Sequence, residues 1–466
     1  GLTGVFSRVH AATLAKSQRS LLGNDYRALV CVFLYGGNDS FNMVVPRDAD
    51  HAVYADTRGA LALAQNTLLP LSPAAVVNAQ NRYFGLHPAM AAASAQEPSL
   101  ADLFNQAGSP VAVVANVGTL LYPTTKAQYT QTDHPKPPQL YSHEDQSSYW
   151  QTPTSNTIER VGWGGLLADR FNGQNLEAKI PMSISTDGEN VFQAGRSVIP
   201  YFINPWGVNR IDAIHPSWQR PTDRRAALYQ LLDGPLAHPL ERTYASGFKR
   251  TVDNYEEVMA ALVPSETTFD GIFGSDASLN DDYFARQLKM VARIISARDT
   301  LHMQRQVFFV GLGGFDTHSN QAADHPNLLA QLARGLTRFY QATVQMGLAD
   351  QVTTFTASEF GRSLTPNQGG TDHAWGGHHI VIGGAVNGGQ FYGRFPSLAR
   401  TNNPDDNNYG AIIPTTSVDQ YAWTLARWYG LPEANRAEVF PNIARFTDVS
   451  HAGTGAPHLG FLPPAV

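Results

Sequence analysis

Residues 28–34 read ALVCVFL, and residues 35–40, directly after them, read YGGNDS. The first run is short, apolar and rich in β-branched and aromatic residues, which predicts a buried β-strand. The second run contains two glycines, which predict a tight turn that presents Asp39 at the end of this strand. Ligands of open parallel sheets bind beyond the carboxyl ends of the strands, so this turn is a candidate site segment.

The same pattern recurs along the chain, where short apolar runs alternate with helical patterns. One helical pattern, 281–298, carries Phe284, Leu288, Val291 and Ile295 at three- and four-residue steps. We therefore predict a three-layer α/β/α sandwich with a mostly parallel sheet. The other predicted strands are 111–117, 307–310, 352–356 and 380–382, and the other predicted helices are 329–339 and 418–429, the last with a capping box at Ser417 and Gln420.

The domain organisation follows from composition along the chain. We predict one α/β domain over 26–466, preceded by an N-terminal extension, 1–25, that follows a removed export signal. Mixed short fragments over about 185–275 predict an insertion or cap. Residues 123–140 carry four prolines and predict a long surface loop that borders a site.

The charge balance and the residue counts exclude several classes of function. The 33 Lys and Arg against 39 Asp and Glu leave no basic surface for nucleic acid. No apolar run approaches the roughly 20 residues that span a bilayer. The single cysteine, Cys31, excludes an internal disulfide and a multi-cysteine metal site.

Polar clusters next to three predicted strands contain candidate metal ligands. Asp39 follows the first strand, Asp316 and His318 lie in the turn GGFDTHSNQ, and Glu359 and Arg362 lie in SEFGR. Carboxylates and imidazoles bind divalent cations, whereas the planar guanidinium of Arg362 suits an anionic group. A turn satisfied by backbone amides at Asp39, a satisfied loop histidine at His318 and a buried ion pair of Arg362 remain open alternatives.

The densest group of candidate ligands is GTDHAWGGHH, residues 370–379, just before the strand at 380–382. We predict Asp372, His373 and His378 as ligands; His378 and His379 point to opposite sides if the segment is extended. These hard oxygen and imidazole ligands suit Zn²⁺, Mn²⁺, Mg²⁺, Ca²⁺ or iron.

A candidate nucleophile lies in YSHEDQ, residues 141–146. Ser142 precedes a helical pattern, so its hydroxyl is either an N-cap or a nucleophile at a helix N-terminus. His143, and alternatively His378, could move a proton.

These motifs, in this order, resemble the bacterial family called domain of unknown function 1501, whose members usually carry a twin-arginine export signal. The resemblance runs from about residue 28 to residue 429 and implies an alkaline phosphatase-like α/β fold with a metal site, as in sulfatases. By this resemblance the family's ligand positions correspond to Asp39, Asp316 with His318, Glu359 with Phe360, and His373. Ser142 corresponds to the nucleophile.

The leading hypothesis is therefore an exported, periplasmic or secreted, metal-dependent hydrolase or transferase of a phosphate or sulfate ester. Its substrate would be a small-molecule or saccharide anion. Two alternatives stay open: a non-haem iron enzyme that uses oxygen through Asp316, His318 and His373, and an exported binding protein that has kept only the scaffold.

Overall fold

A computed structural model describes residues 26–73, 82–153, 160–175, 177–207, 220–236, 238–446 and 457–465, so the predicted extension at 1–25 lies outside the described residues. The strands are β1 Arg27–Leu34, β2 Val44–Pro46, β3 Leu69–Leu71, β4 Phe84–Leu86, β5 Val111–Gly118, β6 Ser183–Ser185, β7 Tyr201–Phe202, β8 Arg305–Leu312, β9 Val352–Ala357, β10 Gly377–Ile382, β11 Gln390–Tyr392 and β12 Thr416–Ser417. The helices are α1 Ser40–Met43, α2 His51–Arg58, α3 Leu100–Asn105, α4 Lys126–Tyr129, α5 His143–Gln151, α6 Trp163–Phe171, α7 Pro221–Leu232, α8 Pro239–Leu262, α9 Asp270–Phe273, α10 Tyr283–Ser296, α11 Gln321–Gln345, α12 Val418–Tyr429 and α13 Arg436–Val439.

Nine strands form one mixed sheet in the order β11-β5-β10-β9-β1-β8-β6-β7, with β12 paired to β5. Strand β1 is central and runs parallel to both β8 and β9, while β6 is parallel to β8 and to β7. Strand β10 is the exception, because it runs antiparallel to β5 and β9. Strands β2, β4 and β3 form a separate small sheet.

Helices cover both faces of the large sheet, as the side chains of β1 show. Val30 and its even-numbered neighbours belong to one core, together with Leu288 of α10 and Leu332 of α11. Cys31 and the odd-numbered side chains belong to a second core, together with Leu425 of α12. This alternation is what a strand buried on both faces requires.

The prediction of a mixed α/β protein with a large, mostly parallel sheet is confirmed. The amphipathic pattern at 281–298 forms α10, and α12 begins at the predicted capping box of Ser417 and Gln420. Within the predicted insertion, 185–275, the described residues form β7 and the helices α7, α8 and α9. Along the described ranges, none of the helices has the length and apolarity needed to cross a bilayer.

Candidate metal centre

Two glycines after β1 bring the first turn against the turn that follows β8. Gly36 has a φ of +114°, and a Cβ atom on it would lie 2.2 Å from the backbone nitrogen of Asp316. Gly37 has a φ of +80°, and its Cβ would lie 2.5 Å from the ring of Phe360. Only glycine combines this backbone conformation with so close an approach. The turns that carry Asp316 and Phe360 therefore pack directly on the end of β1.

Three imidazoles meet around one carboxylate at this edge of the sheet. The Nε2 atoms of His318 and His373 lie 3.0 and 3.2 Å from Oδ1 of Asp316, and Nε2 of His143 lies 3.4 Å from Oδ2. The two atoms Nε2 of His318 and His373 are 2.9 Å apart. We call these four residues the imidazole cluster.

The other ring nitrogen of each imidazole has an acceptor of its own. Nδ1 of His143 donates to Glu359 at 2.7 Å, and Nδ1 of His373 donates to the backbone carbonyl of Tyr141, also at 2.7 Å. Nδ1 of His318 lies 3.3 Å from Oδ1 of Asp372. Carboxylate and carbonyl oxygens only accept, so these partners can hold the ring proton on Nδ1, and a neutral ring in this tautomer turns the lone pair of Nε2 toward Asp316.

In this tautomer three lone pairs converge on a carboxylate, and a cation between them offsets their repulsion. Burial lowers the pKa of His373, which favours its neutral form. The hydrogen bond to Glu359 raises the pKa of His143, although burial opposes this shift. An acceptor at Nδ1 with Nε2 turned inward is the arrangement of histidines that bind metals. The residues present therefore fit a metal ion.

His143, Asp316 and His373 each offer one ligand atom within 4.8 Å of the other two. The cluster is open to solvent, because the side chains of Asp316 and His318 are 47% and 44% exposed. A small substrate can therefore reach it.

Asp316 is held by Arg362, which is completely buried. Nη2 of Arg362 donates to Oδ1 of Asp316 at 2.6 Å and to the carbonyl of Phe315 at 3.1 Å. Burial acts to raise the pKa of Asp316, but the hydrogen bond from Arg362 and the contact with His373 outweigh it and keep the pKa below its ordinary value. Arg362 thus orients a candidate ligand rather than facing an anion in solvent.

Glu359 lies behind His143 rather than among the candidate ligands. Its side chain is 2% exposed, and Oε1 also accepts a hydrogen bond from the backbone nitrogen of Gly36 at 2.8 Å. The hydroxyl of Ser358 donates to Oε2 at 3.2 Å. Glu359 is thereby fixed as the partner that orients the His143 ring. Asp372 has the corresponding position at His318, since it contacts Nδ1 and not Nε2.

Asp39 does not reach the imidazole cluster. Its buried carboxylate forms an ion pair with Arg58 and accepts a hydrogen bond from Gln321. Arg58 also donates to the carbonyl oxygens of Ser363 and Leu364, at 3.0 and 3.1 Å. Asp39 therefore ties together the loops that carry the cluster. Neither Arg58 nor Gln321 was predicted, because a partner far along the chain leaves no local signal.

His378 is also outside the cluster, since it lies within β10 and its neighbours are aromatic. Its ring stacks on Phe395 at 4.5 Å and meets the edge of Phe41 at 4.9 Å. Burial lowers the pKa of His378 to about 3, so it stays neutral near pH 7 and is not suited to shuttle protons. His379 points to the opposite side, against Trp150, so neither of the pair faces the cluster.

Ser142 is the N-cap of α5. Its hydroxyl accepts a hydrogen bond from the backbone nitrogen of Asp145 and donates to the Asp145 carboxylate at 2.6 Å. This confirms the capping alternative. By starting the helix at His143, the cap also places that ring in the cluster.

Phe360, which corresponds by resemblance to a ligand position, packs its ring against two imidazoles instead. The ring centroids lie 4.9 Å from His143 and 4.6 Å from His373. This apolar wall limits the orientation of both rings.

Taken together, the fold and the cluster define a mixed α/β protein with a candidate metal centre of three histidines and one aspartate. Residues 26–416 match the family described as protein of unknown function (DUF1501), and the chain belongs to that family. No curated protein was found to match the chain.

Proposed function

We propose that this protein is a metal-dependent hydrolase or transferase that acts on a phosphate or sulfate ester. The observation that carries the proposal is the convergence of the Nε2 atoms of three imidazoles on the Asp316 carboxylate, on an exposed part of the sheet edge. We also propose that the protein is exported and belongs to the alkaline phosphatase-like superfamily. The order of its motifs along the chain supports that assignment.

His143, Asp316, His318 and His373 would hold the ion. Imidazole suits zinc, iron and other transition metals, whereas magnesium and calcium prefer sites made of oxygen ligands. A donor set of three nitrogens and one carboxylate therefore favours Zn²⁺, Mn²⁺ or iron over Mg²⁺ and Ca²⁺. When bound, such an ion supplies a Lewis acid and lowers the pKa of a coordinated water.

The chain's own residues have distinct tasks in this proposal. Glu359 and the Tyr141 carbonyl orient two of the rings, and Arg362 orients the carboxylate of Asp316. The Ser142 hydroxyl is engaged as a helix cap, so we favour a water molecule as the nucleophile. Asp372 is 64% exposed, which allows it to accept a proton at the solvent side.

A second candidate function has one observation in its favour. His143, Asp316 and His373 form a group of two histidines and one carboxylate, the set that holds non-haem iron in oxygen-using enzymes. This candidate predicts stoichiometric iron together with oxygen consumption, whereas the ester hydrolase consumes no oxygen.

The test combines metal analysis with ester turnover. The purified protein would be stripped with a chelator and reloaded separately with zinc, manganese, iron or magnesium. Metal content would be measured by mass spectrometry, and activity with 4-nitrophenyl phosphate and 4-nitrophenyl sulfate. We expect one ion per chain and hydrolysis of one ester, both lost in Asp316→Ala and His373→Ala.

A matched control is His302→Asn, which removes an imidazole from a turn outside the cluster. His302 has a φ of +56°, a conformation that asparagine adopts readily. A folded wild-type protein that binds none of the four ions would refute the proposal. Iron binding with oxygen uptake and no ester turnover would replace it with the second candidate.

A further inference from the structure

The sheet edge that carries the imidazole cluster continues beyond it towards β6 and β7. Because β1, β8, β6 and β7 are parallel neighbours, the segments that follow them emerge at the same edge. Asp187 comes two residues after the end of β6, and Trp206 comes four residues after the end of β7. The candidate metal centre and these two side chains therefore belong to one edge of the sheet.

Gly311, near the end of β8, makes this surface continuous. A Cβ atom on it would lie 1.9 Å from Oδ2 of Asp187 and 2.8 Å from the ring of Tyr35. Its missing side chain therefore leaves room for both residues over β8. The carbonyl of Tyr35 in turn accepts a hydrogen bond at 3.0 Å from Phe315, the residue before Asp316.

Beyond Asp187 lies an aromatic platform, which we define as Trp206 and Tyr283. The ring centroids are 5.0 Å apart, with 31° between the planes. The guanidinium of Arg286, one turn further along α10, lies 5.3 Å from the centre of the Trp206 ring, and the Tyr283 hydroxyl donates to the carbonyl of Thr186 at 3.2 Å. The indole is thus supported by α10.

Trp206 is nevertheless 56% exposed and Tyr283 38% exposed. A supported aromatic ring with so much open surface, next to a carboxylate, offers an apolar stacking surface and a hydrogen-bond acceptor together. Pyranose rings have the matching chemistry, because they combine apolar C–H faces with hydroxyl donors at their edges.

We propose that this surface binds the saccharide part of the substrate, with a hexose ring stacked on the aromatic platform and a hydroxyl donating to Asp187. Strand β7 is two positions from β8, so the platform lies roughly 10 Å along the edge from the loop after β8. A chain of sugars covers such a span, whereas a simple aryl ester does not. That the ester itself reaches the imidazole cluster rests on the proposed function, but the binding of the saccharide does not.

The test is a binding measurement on the chelator-stripped protein, which separates recognition from catalysis. Isothermal titration with cellotetraose and with a sulfated galactose tetrasaccharide would compare the wild type with Trp206→Ala and Trp206→Phe. Tyr244→Ala is the matched control, because Tyr244 is 72% exposed on α8 and its ring contact is with Phe248. Circular dichroism and thermal unfolding would verify that each variant is folded.

We expect at least one tetrasaccharide to bind, with an affinity about tenfold lower in Trp206→Ala, near wild type in Trp206→Phe and unchanged in Tyr244→Ala. Equal affinity of Trp206→Ala and wild type would overturn the inference, as would a protein that hydrolyses aryl esters but binds neither tetrasaccharide. Binding that depends on Trp206 in a protein without metal or ester turnover would support the inference and refute only the proposed function.

Discussion

The Nε2 atoms of His318 and His373 lie 2.9 Å apart, while both Nδ1 atoms face acceptor oxygens. With both ring protons on Nδ1, two lone pairs face each other at this distance, and an ion or an additional proton between them is needed to offset their repulsion. The residues that contact the Nδ1 atoms and the Asp316 carboxylate should therefore affect metal binding as well as the four residues of the imidazole cluster.

Glu359→Gln should weaken metal binding without unfolding the protein. The substitution removes the charge that orients His143, and the loss of such an outer partner typically costs about 10- to 100-fold in metal affinity. Titration of the stripped protein with zinc would measure it. The control is Glu97→Gln, whose carboxylate pairs with Arg338 in another part of the fold. An unchanged zinc affinity in Glu359→Gln would contradict the role assigned to Glu359.

Asp39→Ala should destabilise the protein strongly. The side chains of Asp39 and Arg58 are 0% and 1% exposed, so the substitution leaves a buried cation without its partner, at a cost of about 3 to 5 kcal/mol. The free energy of unfolding in urea would show this loss. Asp223→Ala is the control, because the ion pair of Asp223 with Arg220 is exposed and should contribute less than about 1 kcal/mol.

The milder variant Asp39→Asn distinguishes a structural role from a ligand role. We expect folded Asp39→Asn to bind its full complement of metal, since the carboxylate faces Arg58 and Gln321. Loss of the ion in this variant, with the fold retained, would make Asp39 a ligand after all.

Gly36→Ala should disturb the candidate metal centre as well as the fold. The backbone conformation alone should cost roughly 1 to 3 kcal/mol, and the added Cβ overlaps the backbone of Asp316. We expect a lower unfolding free energy and weaker zinc binding. Gly313→Ala is the control on the facing turn after β8, because its Cβ would meet nothing within 4 Å. Equal behaviour of the two variants would argue against the close approach.

Unfolding of the stripped protein should become easier between pH 6.5 and pH 4. Burial is the main cause that lowers the pKa of His87 and His325 to about 4 and the pKa of His378 and His379 to about 3. In the unfolded chain these rings take up protons below their ordinary pKa of 6.5, so the unfolded state gains protons that the folded state does not. His143, whose pKa is raised, contributes with the opposite sign, but only above pH 6.5, where its stabilising effect is lost as the pH rises.

Urea unfolding at pH 7, 6 and 5 would measure this dependence, with a slope of up to about 1.4 kcal/mol per pH unit for each buried ring. The ring of His378 stacks between aromatic side chains, so a phenylalanine ring should fit in its place. His378→Phe should therefore reduce the slope by the contribution of one titrating ring. A slope that is flat over this range would show that the buried histidines are protonated in the folded protein.

Part of the candidate site was predictable because its signals are local. Asp316, His318 and His373 are ligand-type residues on turns beside buried strands, and the structure brings all three together. His143 was predicted only as a proton carrier, since its place at the start of α5 does not reveal which loops face it. Glu359 and His378 were chosen as ligands by residue type, but burial gives them other partners.

The order of strands, turns and amphipathic helices was determined by the sequence alone, because periodic burial and glycine conformation are properties of short segments. Only the tertiary structure decided which ring nitrogen faces the Asp316 carboxylate. It also decided which acidic side chain pairs with an arginine instead of an ion. The physical reason is that both depend on contacts between residues far apart in the chain, such as His373 with Tyr141, which are 232 positions apart, and these exist only when the loops at the sheet edge have packed together.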